Sequence, residues 1–159
     1  MIRSLRPVAL AALALGACDR DRAALDPCAH AQGDGVVVAD AWVRPAPAGG
    51  TTAVYATICN LGPDDDALTG GSAAASAVEL HASSRDAEGV ARMAPLDRLA
   101  APAGGTASLA PGAAHLMLVG LAAPVEPGAT VTIAFRFEKA GEIAVEAEAR
   151  SGAEDHSVH

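Results

Sequence analysis

The sequence predicts one all-β domain, a Greek-key sandwich or barrel. Three observations lead there. Apolar residues alternate with polar ones over short runs, as in Val131, Ile133, Phe135 and Phe137, the period of a strand with one buried face. Gly, Pro, Asn and Asp punctuate the chain about every 8–14 residues, a spacing typical of sandwich turns. No segment sustains the 3.6-residue period of a helix. The 159 residues suffice for one core and not for two. Only 3% are aromatic, so that core has to be built from Val, Leu, Ile and Ala.

The chain opens with Arg3 and Arg6, followed by an apolar run from Val8 to Leu15. The run is too short to span a bilayer as a permanent helix, and residues 1–17 read as an export signal. It ends Leu15-Gly16-Ala17-Cys18, which resembles a bacterial lipobox, where cleavage precedes a Cys that then receives lipid. The competing reading is an ordinary secretory signal with an incidental Cys. A lipidated Cys18 implies membrane attachment through the anchor alone, because two or more acyl chains hold stably where one does not. Asp19 next to it suits retention at the inner membrane, facing the periplasm. Without Arg3 and Arg6, nine basic residues remain against 19 acidic ones, a formal charge of about −10. That balance argues against nucleic acid and anionic headgroups as partners.

Residues 18–35 are polar, broken by Pro27 and Gly33, and read as a tether. Cys28 in the tether and Cys59 in a later strand are the even pair left once Cys18 is set aside. An oxidising compartment favours joining them. The disulfide would contribute roughly 3 kcal/mol by closing a loop of about 30 residues. The alternative is a second copper site from Cys28, His30 and Cys59.

The strands expected over residues 36–150 are Val36–Arg44, Thr52–Cys59, Leu68–Ala73, Val78–Ser83, Val90–Pro95, Thr106–Leu109, His115–Leu121, Thr130–Glu138 and Glu142–Ala149. Trp42, the only Trp, is expected in the core. Asp64, Asp65 and Asp66 lack the alternation and terminal Glu of an EF-hand and read as a solvated turn. Residues 151–159 form a polar tail. His156 and His159 in it could bind Cu(II) weakly, or simply belong to a loose end.

The chemistry concentrates in one strand. In His115-Leu116-Met117-Leu118 the two Leu face a core, which leaves His115 and Met117 side by side on the other face, about 6.6 Å apart. His81 ends Val78-Glu79-Leu80-His81 in the same way, beside Glu79. Met93 lies in a further short strand and, with Met117, completes the internal Met of the chain. Thioethers are soft, neutral ligands that favour Cu(I), and imidazole suits copper and zinc alike. Zinc sites use Cys, His and carboxylate rather than paired Met. A blue-copper site needs a Cys, and none lies near His81 or His115 in sequence.

Four spaced residues, His81, Met93, His115 and Met117, resemble the signature of the periplasmic copper chaperones called PCuAC. The flanking words match as well: Val78-Glu79-Leu80-His81, Met93-Ala94-Pro95-Leu96, Pro102-Ala103-Gly104-Gly105, His115-Leu116-Met117-Leu118 and Phe137-Glu138-Lys139-Ala140-Gly141. The resemblance runs from about Val36 to Arg150. In two respects the chain departs from the pattern. The first gap is one residue longer, at the turn Arg85–Gly89, and Ser83 stands where many of the family have a further Met. The resemblance implies a cupredoxin-like fold and one Cu(I) held by the four residues. It implies delivery to the copper centre of a respiratory cytochrome oxidase, through an oxidase subunit or its assembly factors. A copper-buffering or resistance protein without a client is the alternative. The chain shows no nucleophile triad and no phosphate loop, so an enzyme is not expected.

Overall fold

The computed structural model describes residues 27–74 and 76–151. The export signal, Cys18, the first half of the tether, His156 and His159 lie outside the described residues. Ten strands form one curled sheet. They are β1 (Val36–Val43), β2 (Thr51–Asn60), β3 (Asp66–Ala73), β4 (Ala77–Arg85), β5 (Ala91–Pro95), β6 (Leu99–Ala101), β7 (Thr106–Leu109), β8 (Ala114–Val119), β9 (Thr130–Phe137) and β10 (Gly141–Ala149). Nine match the expected strands. The tenth, β6, is a Leu-Ala-Ala run too short to show alternation.

Along the sheet the order is β5-β4-β8-β2-β1-β10-β9-β3-β6, and β7 pairs with the half of β2 that β8 leaves free. Strand β1 runs antiparallel to β2 but parallel to β10. This is a Greek-key arrangement, with the first and last strands side by side. A bridge from Ala73 to Ser76 brings the end of β3 onto the start of β4, so the two arms of the sheet meet. Gly71 allows the bend, because a Cβ there would run into the Ala134 carbonyl and Val78. Between the arms lies the core. One arm supplies Val54, Ile58, Leu80, Leu116 and Leu118; the other supplies Leu68, Ile133, Phe135, Phe137 and Ala147. The all-β, single-domain expectation is borne out.

Trp42 departs from its expected place. Simple alternation puts it on the face of Val36 and Val38. A bulge intervenes between Ala39 and Trp42, where the register against β2 slips by one residue. Asp40 adopts φ 48° there, a left-handed conformation that Asp tolerates. The side-chain pattern reverses beyond it. Val43, opposite Val54, becomes fully buried, and Trp42, opposite Tyr55, moves to the outer face. Arg150 holds the bulge, donating to Asp40 Oδ1 at 3.0 Å from its side chain and to the Val43 carbonyl at 2.9 Å from its backbone.

Two contacts tie the lower loops down. Cys28 and Cys59 are joined in a disulfide, Cα–Cα 5.7 Å, which withdraws both sulfurs from the second-site reading. Asp66 belongs to β3 and is buried, so the acidic triplet is only partly a solvated turn. Its carboxylate accepts N–H bonds from Ala67 at 2.7 Å, Lys139 at 3.0 Å and Ala140 at 2.9 Å. Burial pushes the Asp66 carboxyl up, but the three backbone donors and the Lys139 charge outweigh it and hold it below its ordinary value.

A lowered folded pKa means the stabilisation is complete above the ordinary value of 3.8 and is lost as the pH falls through the folded value. The midpoint of thermal denaturation should therefore fall in acid below about pH 4. Asp66→Asn should be less stable at neutral pH, with a shallower acid loss. Asp66→Ala, which orphans buried N–H groups, should cost at least about 2 kcal/mol. Replacing Cys28 and Cys59 together with Ser should cost about 3 kcal/mol in denaturant unfolding, with no change in strand content by circular dichroism.

Candidate metal centre

The site is built on β5, β4 and β8, neighbours at one end of the sheet. Within each strand alternate residues share a face, so the pairing register decides which of them meet. The β4–β8 register sets His81 directly opposite His115 and Glu79 opposite Met117. The β4–β5 register sets Ser83 opposite Met93 and His81 opposite Pro95. All four predicted residues thus lie on the outer face, behind which Leu80, Leu116 and Leu118 are buried in the core.

The two histidines are brought together. Their ring centroids are 6.3 Å apart with planes 22° from parallel. His115 is 4% exposed and the His81 side chain 13%, so the pair sits in a shallow, half-dry recess. Met117 is half-buried beside them. Met93 is not gathered in: it is 55% exposed, on an edge strand whose five residues are all exposed. By register the two Met occupy opposite diagonals of the histidine pair. On a flat sheet their Cα atoms would be about 16 Å apart. Both thioethers reach one ion only if the β4–β5 hairpin curls over the face. Between His81 and Met93 the chain reverses in the hairpin loop, where Asp86 Oδ1 accepts the Val90 N–H at 2.8 Å and Gly89 has φ 81°.

The nitrogens are distinguishable. His115 Nδ1 lies 3.0 Å from the Ala113 carbonyl. A carbonyl only accepts, so Nδ1 carries the proton and Nε2 keeps a lone pair. His81 Nδ1 is buried with no hydrogen-bond partner, and its Nε2 lies 3.7 Å from Glu79 Oε2.

Sequence reasoning missed what stands behind His115. Tyr55 is 6.4 Å from it, centroid to centroid, and Trp42 is 4.5 Å from Tyr55. The Arg44 guanidinium lies 5.7 Å above the Tyr55 ring. Four rings therefore run in one row across four strands. Only the register of β2 and the bulge in β1 reveal that row, and neither is written in any single strand. Among the described residues no three His, Cys, Asp or Glu are grouped to hold a metal. Two imidazoles together with two thioethers would make a donor set that fits a soft monovalent ion.

The family model "Putative lipoprotein LpqE-like" matches residues 36–149. "Putative lipoprotein Lxx21020" of Leifsonia xyli subsp. xyli is 36% identical over 138 residues, covering 85% of this chain and 82% of that protein. Among solved structures, the copper-bound PCuAC domain from PmoF2 is similar at TM-score 0.60 and 25% identity, over 77% of this chain and 98% of that one. The solution structure of CuI-DR1885 from Deinococcus radiodurans is similar at TM-score 0.55 and 26% identity, over 74% and 80%. The cupredoxin-like expectation for the fold stands with these likenesses.

The ring row supplies a built-in reporter, since Trp42 is the only Trp. Titration with one equivalent of Cu(I) should change Trp42 emission. Tyr55→Leu should weaken the response, because it removes the ring between Trp42 and His115. A flat emission titration would place any bound ion away from His115.

Proposed function

The chain belongs to the LpqE-like family, and on that premise we propose that it is a copper(I) carrier of the cell envelope, with His81, His115, Met117 and Met93 as the ligands. The observation that carries this reading is the face-to-face pairing of His81 and His115 across β4 and β8, with both thioethers on the same face. The likeness to PCuAC domains, two of them with copper, supports it. Two neutral imidazoles and two thioethers leave a single positive charge on Cu(I), which a half-exposed recess tolerates. Hard cations gain little from sulfur.

Exposure suggests the order of events. The histidine pair is recessed and comes ready-made from the register, so it forms the fixed half of the site. Met93 stands in solvent on an edge strand. It is the ligand an acceptor protein can displace first, so copper leaves by stepwise exchange without becoming free. The acceptor we assign is the copper centre of a respiratory oxidase or one of its assembly factors, met at the periplasmic face of the inner membrane, where a lipidated Cys18 would hold the carrier. The role is transfer without turnover, and no enzymatic step is assigned.

Replacing Met93 and Met117 by Leu keeps most of the volume and removes only the sulfur, at a folding cost below about 1.5 kcal/mol. Cu(I) affinity should fall steeply and Cu(II) affinity much less, with near-native circular dichroism. X-ray absorption of the copper-loaded parent should show mixed sulfur and nitrogen scattering; nitrogen and oxygen alone would sink the site. Cu(I) bound but never passed to an oxidase copper domain would mark a buffer rather than a carrier.

A further inference from the structure

Glu79 has no place in the ligand set, yet it lies on the metal face between the residues that form it. It is two residues from His81 on β4 and directly opposite Met117 on β8. Acids elsewhere on the protein are engaged by arginines: Asp86 by Arg92, Glu138 by Arg98, Glu142 by Arg136, and Asp40 and Glu148 by Arg150. The basic group facing Glu79 is instead His81, whose Nε2 is 3.7 Å from Oε2. That distance exceeds a hydrogen bond, but it is close enough for the carboxylate to favour a proton on the nitrogen facing it. The other nitrogen of the same ring, Nδ1, is buried and has no hydrogen-bond partner. A buried, unpaired lone pair costs free energy unless something occupies it.

We infer that Glu79 is a positioning residue that keeps the His81 proton on Nε2, so that His81 presents Nδ1 to the metal while His115 presents Nε2. The inference rests on the copper-carrier reading above. The two histidines are then held by different devices. His115 is fixed through Nδ1 by the backbone carbonyl of Ala113 at 3.0 Å; His81 is biased through Nε2 by the charge of a side chain 3.7 Å away. Both follow the general rule that the non-ligating nitrogen of a metal-bound histidine is oriented by an acceptor behind it. The Glu79 carboxylate contributes the negative charge that balances Cu(I).

The test follows histidine ring nitrogens by two-dimensional NMR of the 15N-labelled protein, with and without one equivalent of Cu(I). Without copper, His81 should be protonated on Nε2 and His115 on Nδ1. With copper, the signals that move should be Nδ1 of His81 and Nε2 of His115. Glu79→Ala should mix the two forms of His81 and weaken Cu(I) binding roughly ten- to hundredfold. Glu79→Gln, which retains an oxygen acceptor, should keep the Nε2–H form and lose less. If copper moves Nε2 of His81 in the parent protein, the inference is overturned while the carrier reading survives. The same holds if Glu79→Ala leaves both the His81 pattern and the affinity unchanged. If neither histidine responds to copper, the carrier reading falls, and the inference with it.

Discussion

The register of β4 against β8 is the constraint on which the rest of the site depends. It is set from below. Leu80 opposite Leu116 and Val78 opposite Leu118 turn toward the core, and a slip of one residue would expose that whole apolar set. Burial of aliphatic side chains thus fixes the position of imidazoles on the opposite face. The histidines need no attraction for each other, and without an ion they gain little from meeting. Stability of the core and placement of the ligands are two sides of one pairing.

A division of labour follows along the strands. The inner strands β4, β8 and β2 are hydrogen-bonded on both sides and carry the recessed groups, His81, His115 and Tyr55. Edge strand β5 is hydrogen-bonded on one side only and carries the accessible thioether. An ion held wholly in the recess would leave slowly; one held wholly at the edge would be lost to competing ligands. On the carrier reading proposed above, splitting the ligands between a rigid pair and an exposed arm would combine tight holding with a route for exchange.

Much of this was legible in the sequence, and the limits have physical causes. His115 and Met117 are two residues apart on one strand, so their common face follows from the pleat alone. The burial of β9 and β10 followed the alternation of Val131 to Phe137 and of Ile143 to Ala147. The spacing of His81, Met93, His115 and Met117 suggested a set but not an arrangement, because which residue opposes which is decided by pairing across strands distant in sequence. Trp42 went astray for a related reason. Alternation counts residues, and a bulge adds one that the count does not show. Asp66 was read by its neighbours Asp64 and Asp65 as solvated, although the Lys139 and Ala140 amides that bind it come from a remote turn. Strand β6 was simply too short to carry a pattern.

The bulge at Asp40 has a consequence for how this chain tolerates change in length. One added residue acts as a frame setter. Everything before it is read in one phase and everything after it in the other, and the Arg150 contacts lock the second phase to the last strand. Deleting either Asp40 or Ala41 would leave one residue opposite Ala56 and abolish the bulge, with the indole still outside and Val43 still in the core. Deleting both would set Trp42 directly after Ala39, drive the indole into the core and turn Val43 out to solvent. Length changes at this point of β1 are therefore tolerated in ones and not in twos, whereas the loop between β4 and β5 can lengthen or shorten without disturbing the frame of β1.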